Sequence, residues 1–337
     1  MIAHKEMLLD YFGQTIRKSR ILVLGDIMLD RYYFGEVKRI SPEAPVPVTR
    51  VLKQTGVLGG AGNVAHNLRR LGCQVDLVGL VGADEARGAL TELMAASGMH
   101  TDSLVESSRP TTTKLRVIGG HQQMMRIDFE ETAPISRRLE DKILEKVQQS
   151  LDQGAAVIIL SDYGKGLCTP RLCRQVIRIA SEGKVPVIVD PKGDKWQKYQ
   201  GASYITPNLK EVGEALKKKV ANEDGEVLKA AQTLRKRFSL GAVIATRSEH
   251  GLSYAGEATV FHIPTLAQEV FDVSGAGDTV IAVFGAALAG NLPLYEAAYA
   301  ANLAAGVVVG KVGTYAISQR EFVAALQQAV EVKEEVK

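Results

Sequence analysis

Short apolar runs alternate with amphipathic helical segments along most of the chain, and this alternation restricts the fold more than any other feature. Residues 21–26 (ILVLGD) form a continuous apolar run, as expected for a strand buried on both faces. Similar runs follow predicted helices at 136–151, 170–182 and 225–238. This pattern is typical of βαβ units. We therefore expect an α/β fold over residues 1–337, a single domain whose mainly parallel central sheet is flanked by helices.

Two other regions read as strands outside that alternation. Pro42, Pro45 and Pro47 exclude a long helix in the first region, so short edge strands are predicted at 31–36 and 46–51. In the second region, residues 112–118 and 123–129 read as a hairpin around Gly119-Gly120. Together they predict a small β-sheet lid, built from about 31–52 and 109–130, that projects from the main body.

The composition of the chain indicates which kinds of binding partner and which cellular compartment to expect. A net charge of +3 over 337 residues does not favour nucleic acid as a partner, and no apolar run is long enough for a membrane span. The N-terminus lacks the apolar core of a signal peptide. Three cysteines without C-x-x-C spacing indicate free thiols. We expect a cytoplasmic protein that acts on small molecules.

The stretch 272–280 (DVSGAGDTV) carries the strongest chemical signal. Gly275, Ala276 and Gly277 form a turn of small residues that leads into an alanine-rich helix predicted at 276–289. The free N–H groups of a helix start can bind an anion. Asp278, in the same turn, could take a proton from a substrate hydroxyl. The alternative is a glycine-rich turn in which this aspartate only caps the helix.

Polar residues stand where the predicted strands end, which is where open parallel sheets bind ligands. They include Asp190, Lys192, Thr246 and Arg247. Lys192 could neutralise a phosphate or face solvent. Asn208 and Glu211 share one face of a helix start, where Glu211 could hold a hydrated Mg²⁺. The competing explanation for this pair is helix capping.

Candidate sugar-binding residues lie nearer the N-terminus. Asp30 follows the first strand and could accept hydrogen bonds from sugar hydroxyls, or it could be a surface turn residue. A second glycine-rich turn, at Gly59 and Gly60, precedes a helix predicted at 63–71 that begins with Asn63. The predicted hairpin and the segment before it add polar and basic side chains that could hold a phosphate or only face solvent: Arg109, Arg116, Gln122, Gln123 and Arg126.

Taken in order, these motifs resemble the ribokinase-like (PfkB) family of sugar kinases over nearly the whole chain. The resemblance implies a ribokinase-like fold, ATP and Mg²⁺ as cofactors, Asp278 as catalytic base and Asn208 and Glu211 as residues that place Mg²⁺ and the phosphates. The sequence departs from the family pattern at Val273 and Ser274, where Thr is favoured, although Ser keeps a hydroxyl. The nucleotide is expected to contact Asn208, Glu211, Thr246, Arg247, Gly251 and Asn302.

Within that family, longer strings such as LDRYYFGEVKRISPEAPVPV, QQMMRIDFE and SDYGKG are similar to kinases of ADP-heptose synthesis. This resemblance implies phosphorylation of D-glycero-β-D-manno-heptose 7-phosphate at O1, for the lipopolysaccharide core, and a homodimer formed through the lid. The H-x-G-H motif of a cytidylyltransferase domain is absent from the sequence, so we expect a separate protein to transfer the adenylyl group. Two alternatives remain open: a kinase for another sugar, and a non-catalytic sugar or nucleotide sensor.

Overall fold

A computed structural model describes residues 4–120, 122–267, 269–311 and 313–329. Its helices are α1 Lys5–Gly13, α2 Ala61–Leu71, α3 Glu85–Ala96, α4 Arg137–Asp152, α5 Pro170–Glu182, α6 Leu209–Leu216, α7 Asp224–Arg237, α8 Ala276–Ala289, α9 Leu294–Val308 and α10 Gln319–Gln328. Its strands are β1 Arg20–Gly25, β2 Ile27–Ile40, β3 Pro47–Gly60, β4 Gln74–Val81, β5 Leu104–Glu106, β6 Thr113–Gly119, β7 Gln122–Phe129, β8 Val157–Ser161, β9 Val187–Asp190, β10 Tyr204–Ile205, β11 Ala242–Thr246, β12 Leu252–Ala255 and β13 Val260–Ile263.

The central sheet has nine strands in the order β13-β12-β11-β10-β9-β8-β1-β4-β5. It is parallel from β5 to β11, and only β12 and β13 pair antiparallel. The predicted mainly parallel sheet is confirmed. Because neighbouring parallel strands end at the same edge, the polar residues that follow β1, β8, β9 and β11 are brought to one side of the molecule.

Helices cover both faces of this sheet, as the continuous apolar character of the strands requires. In β1, Ile21 and Val23 join the core beneath α2, α8 and α9, whereas Leu22 and Leu24 join the core beneath α4, α5 and α7. Successive side chains of a strand point to opposite faces, so one short strand supplies both cores. No helix within the described residues is both long enough and apolar enough to cross a bilayer.

The second sheet has four strands in the order β3-β2-β6-β7, which confirms a small separate sheet. Its first two strands are longer than predicted, at 14 residues each, because β2 begins immediately beyond Asp26 and the prolines lie mostly in the connection between the strands. Gly59 and Gly60 are not the turn that the sequence suggested. They end β3, which runs directly into α2.

Candidate active site

The DVSGAGD stretch forms the turn that the sequence predicted. Gly275 is the N-cap of α8 with a φ of +80°, a left-handed conformation that favours glycine. A Cβ at this position would also lie 2.9 Å from the side-chain nitrogen of Asn63, Nδ2. The Ala276 amide donates to the Val273 carbonyl at 3.2 Å, so the amides left for an anion lie further into the turn, at Gly277 and Asp278.

Asp278 is buried at the start of α8 and is held by two neutral donors. Its Oδ2 accepts a 2.7 Å hydrogen bond from Asn63 Nδ2, and its Oδ1 accepts one of 2.6 Å from the Tyr163 hydroxyl. Burial raises the pKa of Asp278 to about 6, the two hydrogen bonds oppose that rise, and the nearby charge of Asp30 adds to it. The carboxylate is therefore charged at neutral pH but is a stronger base than an exposed aspartate.

A fully buried amide, Asn67, connects the elements around this carboxylate. Its Nδ2 donates to the Asn63 carbonyl at 2.9 Å, and its Oδ1 accepts from the Thr279 hydroxyl at 3.2 Å and from the Ile317 amide at 3.1 Å. Asn67 therefore links α2, which carries Asn63, to α8, which carries Asp278. Sequence reasoning missed this residue, although its spacing of four from Asn63 places both side chains on one face of a helix.

Asp30 is buried at the base of the small sheet rather than exposed in a surface turn. Its Oδ1 accepts a 2.6 Å hydrogen bond from Arg116 Nη1, and the Arg116 guanidinium lies over the Tyr32 ring, 5.2 Å from its centroid. A Cβ on Gly59 would lie 2.3 Å from Asp30 Oδ2. This close approach explains the glycine at position 59 as a packing requirement beside a candidate sugar ligand.

Two other predicted substrate residues are more exposed. Arg126 stands directly opposite Arg116 across β6 and β7 and binds Asp128 at 2.9 Å and 3.0 Å, with 51% of its side chain exposed. Gln123 is exposed on β7. The sheet therefore brings both arginines to one face, but each is paired with a carboxylate of the same sheet.

A cleft of about 240 Å³ opens beside Gly277 at the carboxyl edge of the central sheet. It is lined by Asp162, Tyr163, Asp190, Pro191, Lys192, Thr206, Asn208, Glu211, Thr246 and Gly277. Three predicted nucleotide-site residues thus meet Gly277 of the predicted anion turn: Asn208, Glu211 and Thr246. Lys192, for which the family resemblance implied contact with the phosphate of the sugar, lines this cleft as well.

Asn208 and Glu211 form a reciprocal capping box at the start of α6. The Asn208 amide donates to Glu211 Oε2 and the Glu211 amide donates to Asn208 Oδ1, each at 3.0 Å. Glu211 Oε1 also accepts from Lys192 Nζ at 3.2 Å. The capping alternative is therefore realised, and it fixes the Glu211 carboxylate at the cleft wall.

Three other predicted nucleotide residues make contacts within the protein. Arg247 is fully buried, and its guanidinium donates to Asn222 and Asp224 at 2.8 Å and 2.5 Å. A Cβ on Gly251 would lie 2.1 Å from the Ile263 carbonyl, so this glycine permits close strand packing. Asn302 donates to the Pro264 carbonyl at 2.7 Å and anchors the segment that follows β13.

Burial is the largest cause of the raised pKa values of two further aspartates near the site, Asp190 and Asp26. The pKa of Asp190 is raised well above its usual value, first by burial and then by the charges of Asp278 and Glu211. Burial and the charge of Asp162 raise the pKa of Asp26 to about 6. Within the described part of the chain, no group of three or more His, Cys, Asp or Glu residues is arranged to hold a metal ion by itself.

Comparison with solved structures identifies the fold as ribokinase-like. Arabidopsis thaliana ribokinase, solved with ribose and ATP, superposes with a TM-score of 0.73 at 18% identity, covering 92% of this chain and 99% of that one. Escherichia coli phosphofructokinase-2 gives a TM-score of 0.76 at 20% identity, covering 92% of this chain and 100% of that one. The likeness to these two structures shows the fold of the chain.

The family of the protein is shown by its amino-acid sequence. The profile described as "pfkB family carbohydrate kinase" matches residues 18–320, and the chain belongs to this family of sugar kinases. It is 46% identical over 316 residues to the "Bifunctional protein HldE" of Trichlorobacter lovleyi, covering 93% of this chain. The protein of the same name from Actinobacillus succinogenes is 46% identical over 305 residues, covering 90% of this chain. The chain spans 64% and 63% of the length of these two relatives.

Proposed function

We propose that this protein phosphorylates D-glycero-β-D-manno-heptose 7-phosphate at O1 with ATP, in ADP-heptose and lipopolysaccharide core synthesis. The proposed reaction type, phosphoryl transfer to a hydroxyl, is supported mainly by the buried Asp278 at the start of α8. This residue follows Gly277, which lines the cleft, and the charge of Asp30 acts on it. Similarity to proteins named HldE over at least 90% of this chain supports the heptose substrate.

In the proposed reaction, Asp278 accepts the proton of the anomeric hydroxyl as that oxygen attacks the γ-phosphorus of ATP. The bond from this phosphorus to the bridging oxygen breaks, and ADP leaves with the electron pair. The amides of Gly277 and Asp278 face the negative charge that develops on the phosphoryl oxygens, aided by the positive end of α8. Lys192, whose ammonium reaches the cleft wall, faces the same charge. Phosphoryl transfer needs mainly this positioning and charge stabilisation from a protein.

The cleft residues fit a nucleotide with its magnesium ion. The carboxylates of Asp190 and Glu211 and the amide of Asn208 are oxygen donors along one wall. Mg²⁺ is usually held by one or two carboxylates, phosphate oxygens and several waters, so a complete protein cage is not required. When bound, the ion supplies neutralisation of phosphate charge. We assign its contact to Glu211, through water.

The small sheet is the proposed lid over the sugar. Asp30 and Asn63 supply groups for sugar hydroxyls, and Arg116 and Arg126 supply guanidinium forks for the 7-phosphate. We further propose a cytoplasmic homodimer joined through the lid. Its support is a set of exposed apolar side chains on this sheet and its connecting loop: Val37, Ile40, Val46, Val51, Leu52, Met124, Met125, Ile127 and Phe129.

The decisive experiment measures ADP release with the heptose 7-phosphate beside ribose, fructose and fructose 6-phosphate. Rapid turnover confined to the heptose phosphate is the expected result. Turnover with another sugar alone overturns the substrate and the pathway but keeps the kinase mechanism. If no sugar is turned over although ATP binds, the catalytic assignment is wrong.

A further inference from the structure

The tyrosine that follows β8 has no role in the proposed reaction, although its hydroxyl contacts the proposed base. Tyr163 donates to Asp278 Oδ1 at 2.6 Å. It lines the nucleotide cleft beside Asp190, and the charge of Asp30, on the sugar side, also acts on its hydroxyl. The phenol therefore contacts the proposed base from the side of the cleft and is close enough to Asp30 to be affected by its charge.

The backbone around this tyrosine is fixed by buried carboxylates. Asp26 Oδ2, just beyond β1, accepts from the Tyr163 amide at 2.8 Å and from the Lys165 amide at 3.0 Å. Asp162 Oδ1 accepts from the Gly164 amide at 2.7 Å. A loop tied down on both sides of the residue cannot easily withdraw the phenol, so the hydrogen bond to Asp278 is built into the fold.

We propose that Tyr163 is a positioning residue for the proposed base: its hydroxyl keeps Asp278 charged and turned towards the acceptor hydroxyl. Tyr163 occupies Oδ1 and Asn63 occupies Oδ2, each with one hydrogen bond, and a carboxylate oxygen can accept a second. One lone pair on each oxygen of Asp278 thus stays available for the incoming hydroxyl, while the two hydrogen bonds hold the orientation of the carboxylate. This inference rests on the proposed function of Asp278.

The protonation states suit this role. Burial, followed by the charge of Asp278, raises the pKa of Tyr163 well above its usual value, so the phenol is a donor throughout the working pH range. The charge that raises the pKa of Asp278 is that of Asp30, on β2, whereas Asp190, at the end of β9, has its own pKa raised by the charge of Asp278. Burial and Asp30 thus favour protonation of Asp278, and the phenol opposes them.

The test is the Tyr163→Phe variant, which keeps the ring and removes the hydroxyl. The acid limb of the kcat/KM profile for ADP release, measured between about pH 5 and pH 9, reports the ionisation of the base. Losing one buried hydrogen bond to the carboxylate is expected to move that limb up by about one pH unit, with KM for ATP unchanged. Activity lost near neutral pH then returns in alkaline buffer.

Tyr315→Phe is the matched control. Tyr315 also donates a hydrogen bond from its hydroxyl to a carboxylate, at 2.7 Å to Glu321 Oε1, but this carboxylate is not the proposed base. The acid limb of the kcat/KM profile of this control variant is expected to coincide with that of the unmodified protein. A limb that stays in place in Tyr163→Phe, or that moves equally in both variants, overturns the proposal.

A second readout separates this inference from the proposed function. The ¹³C shift of the Asp278 carboxyl, assigned with the Asp278→Asn variant, can be titrated in the sugar-free protein. If no sugar is turned over, the kinase proposal fails, and this titration still decides the role of Tyr163. An unchanged Asp278 titration in Tyr163→Phe contradicts the positioning role even if turnover falls.

Discussion

The surroundings of Asp278 and the exposed end of the small sheet differ in burial and in whether their side chains are already held in place in the free protein. Asp278 is buried, and neutral donors from α2 and from the loop after β8 already hold both of its oxygens. On the lid, Arg126 is half-exposed and pairs with a neighbouring carboxylate, and apolar side chains face outward. The candidate centre is thus preorganised, whereas the sheet that we propose for substrate recognition satisfies its charges internally.

The largest effect should come from the preorganised centre. Asp278→Asn keeps the shape of the side chain but removes the base, so turnover should fall by about 10³-fold. Nucleotide affinity should be retained, because the amides of the turn remain. Steady-state ADP release and calorimetric ATP titration measure the two quantities separately. Near-normal turnover in this variant would exclude Asp278 as the base.

On the lid, Arg116→Ala should raise KM for the sugar phosphate about 10- to 100-fold with a smaller change in kcat, because a charged contact to phosphate is lost. The variant also leaves the buried Asp30 without its 2.6 Å partner. Arg126→Ala, at the exposed pair, should raise KM less. Equal KM values in the two variants and the unmodified protein would remove the basic lid from substrate binding.

The pH dependence of the unmodified protein tests how far burial shapes the centre. Asp278 has a pKa of about 6 and must be charged to accept a proton, so activity should fall as pH drops through that value. The loss should approach about tenfold per pH unit below it. An acid limb near the usual aspartate value would show that the carboxylate is more hydrated in solution than the structure indicates.

A smaller effect is expected from the buried connection at Asn67. Asn67→Ala leaves the buried Ile317 amide without its acceptor, which should lower the free energy of unfolding by about 1–3 kcal/mol. The Thr279 hydroxyl can still donate to the Gly275 carbonyl at 3.1 Å. Chemical denaturation measures the change in the free energy of unfolding. Gln175→Ala, on the surface of α5, is a suitable control, since its contacts with Arg178 are exposed. Equal stability of the two variants would argue against Asn67 as a structural link.

Local patterns predicted most of the fold and the core of the site. The apolar runs predict the positions of strands in the central sheet. The helices at 170–182 and 276–289 begin and end where the sequence predicts. Asp278 was found because its motif is contiguous in sequence. The GAGD turn needs no distant residue to be recognised.

Contacts between distant segments could not be predicted in this way. Arg247 follows a strand that ends at the cleft, yet its side chain turns into the protein and meets Asn222 and Asp224. Tyr163 and Asn67 act through partners more than a hundred residues away. Side-chain direction after a strand and pairing across helices depend on tertiary packing, which the local sequence does not encode.

The absence of a loop between β3 and α2 has a mechanical consequence. The lid strand ends at Gly60, the helix starts at Ala61, and Asn63, in the first turn, holds the base. Gly60 itself has a φ of +56° and packs against the Asp26 carbonyl, so it has little freedom to absorb a displacement. A displacement of β3 is therefore transmitted through a single turn of helix to the side-chain amide that orients Asp278. Under the proposed function, binding of the sugar at the lid would in this way adjust the orientation of the proposed base.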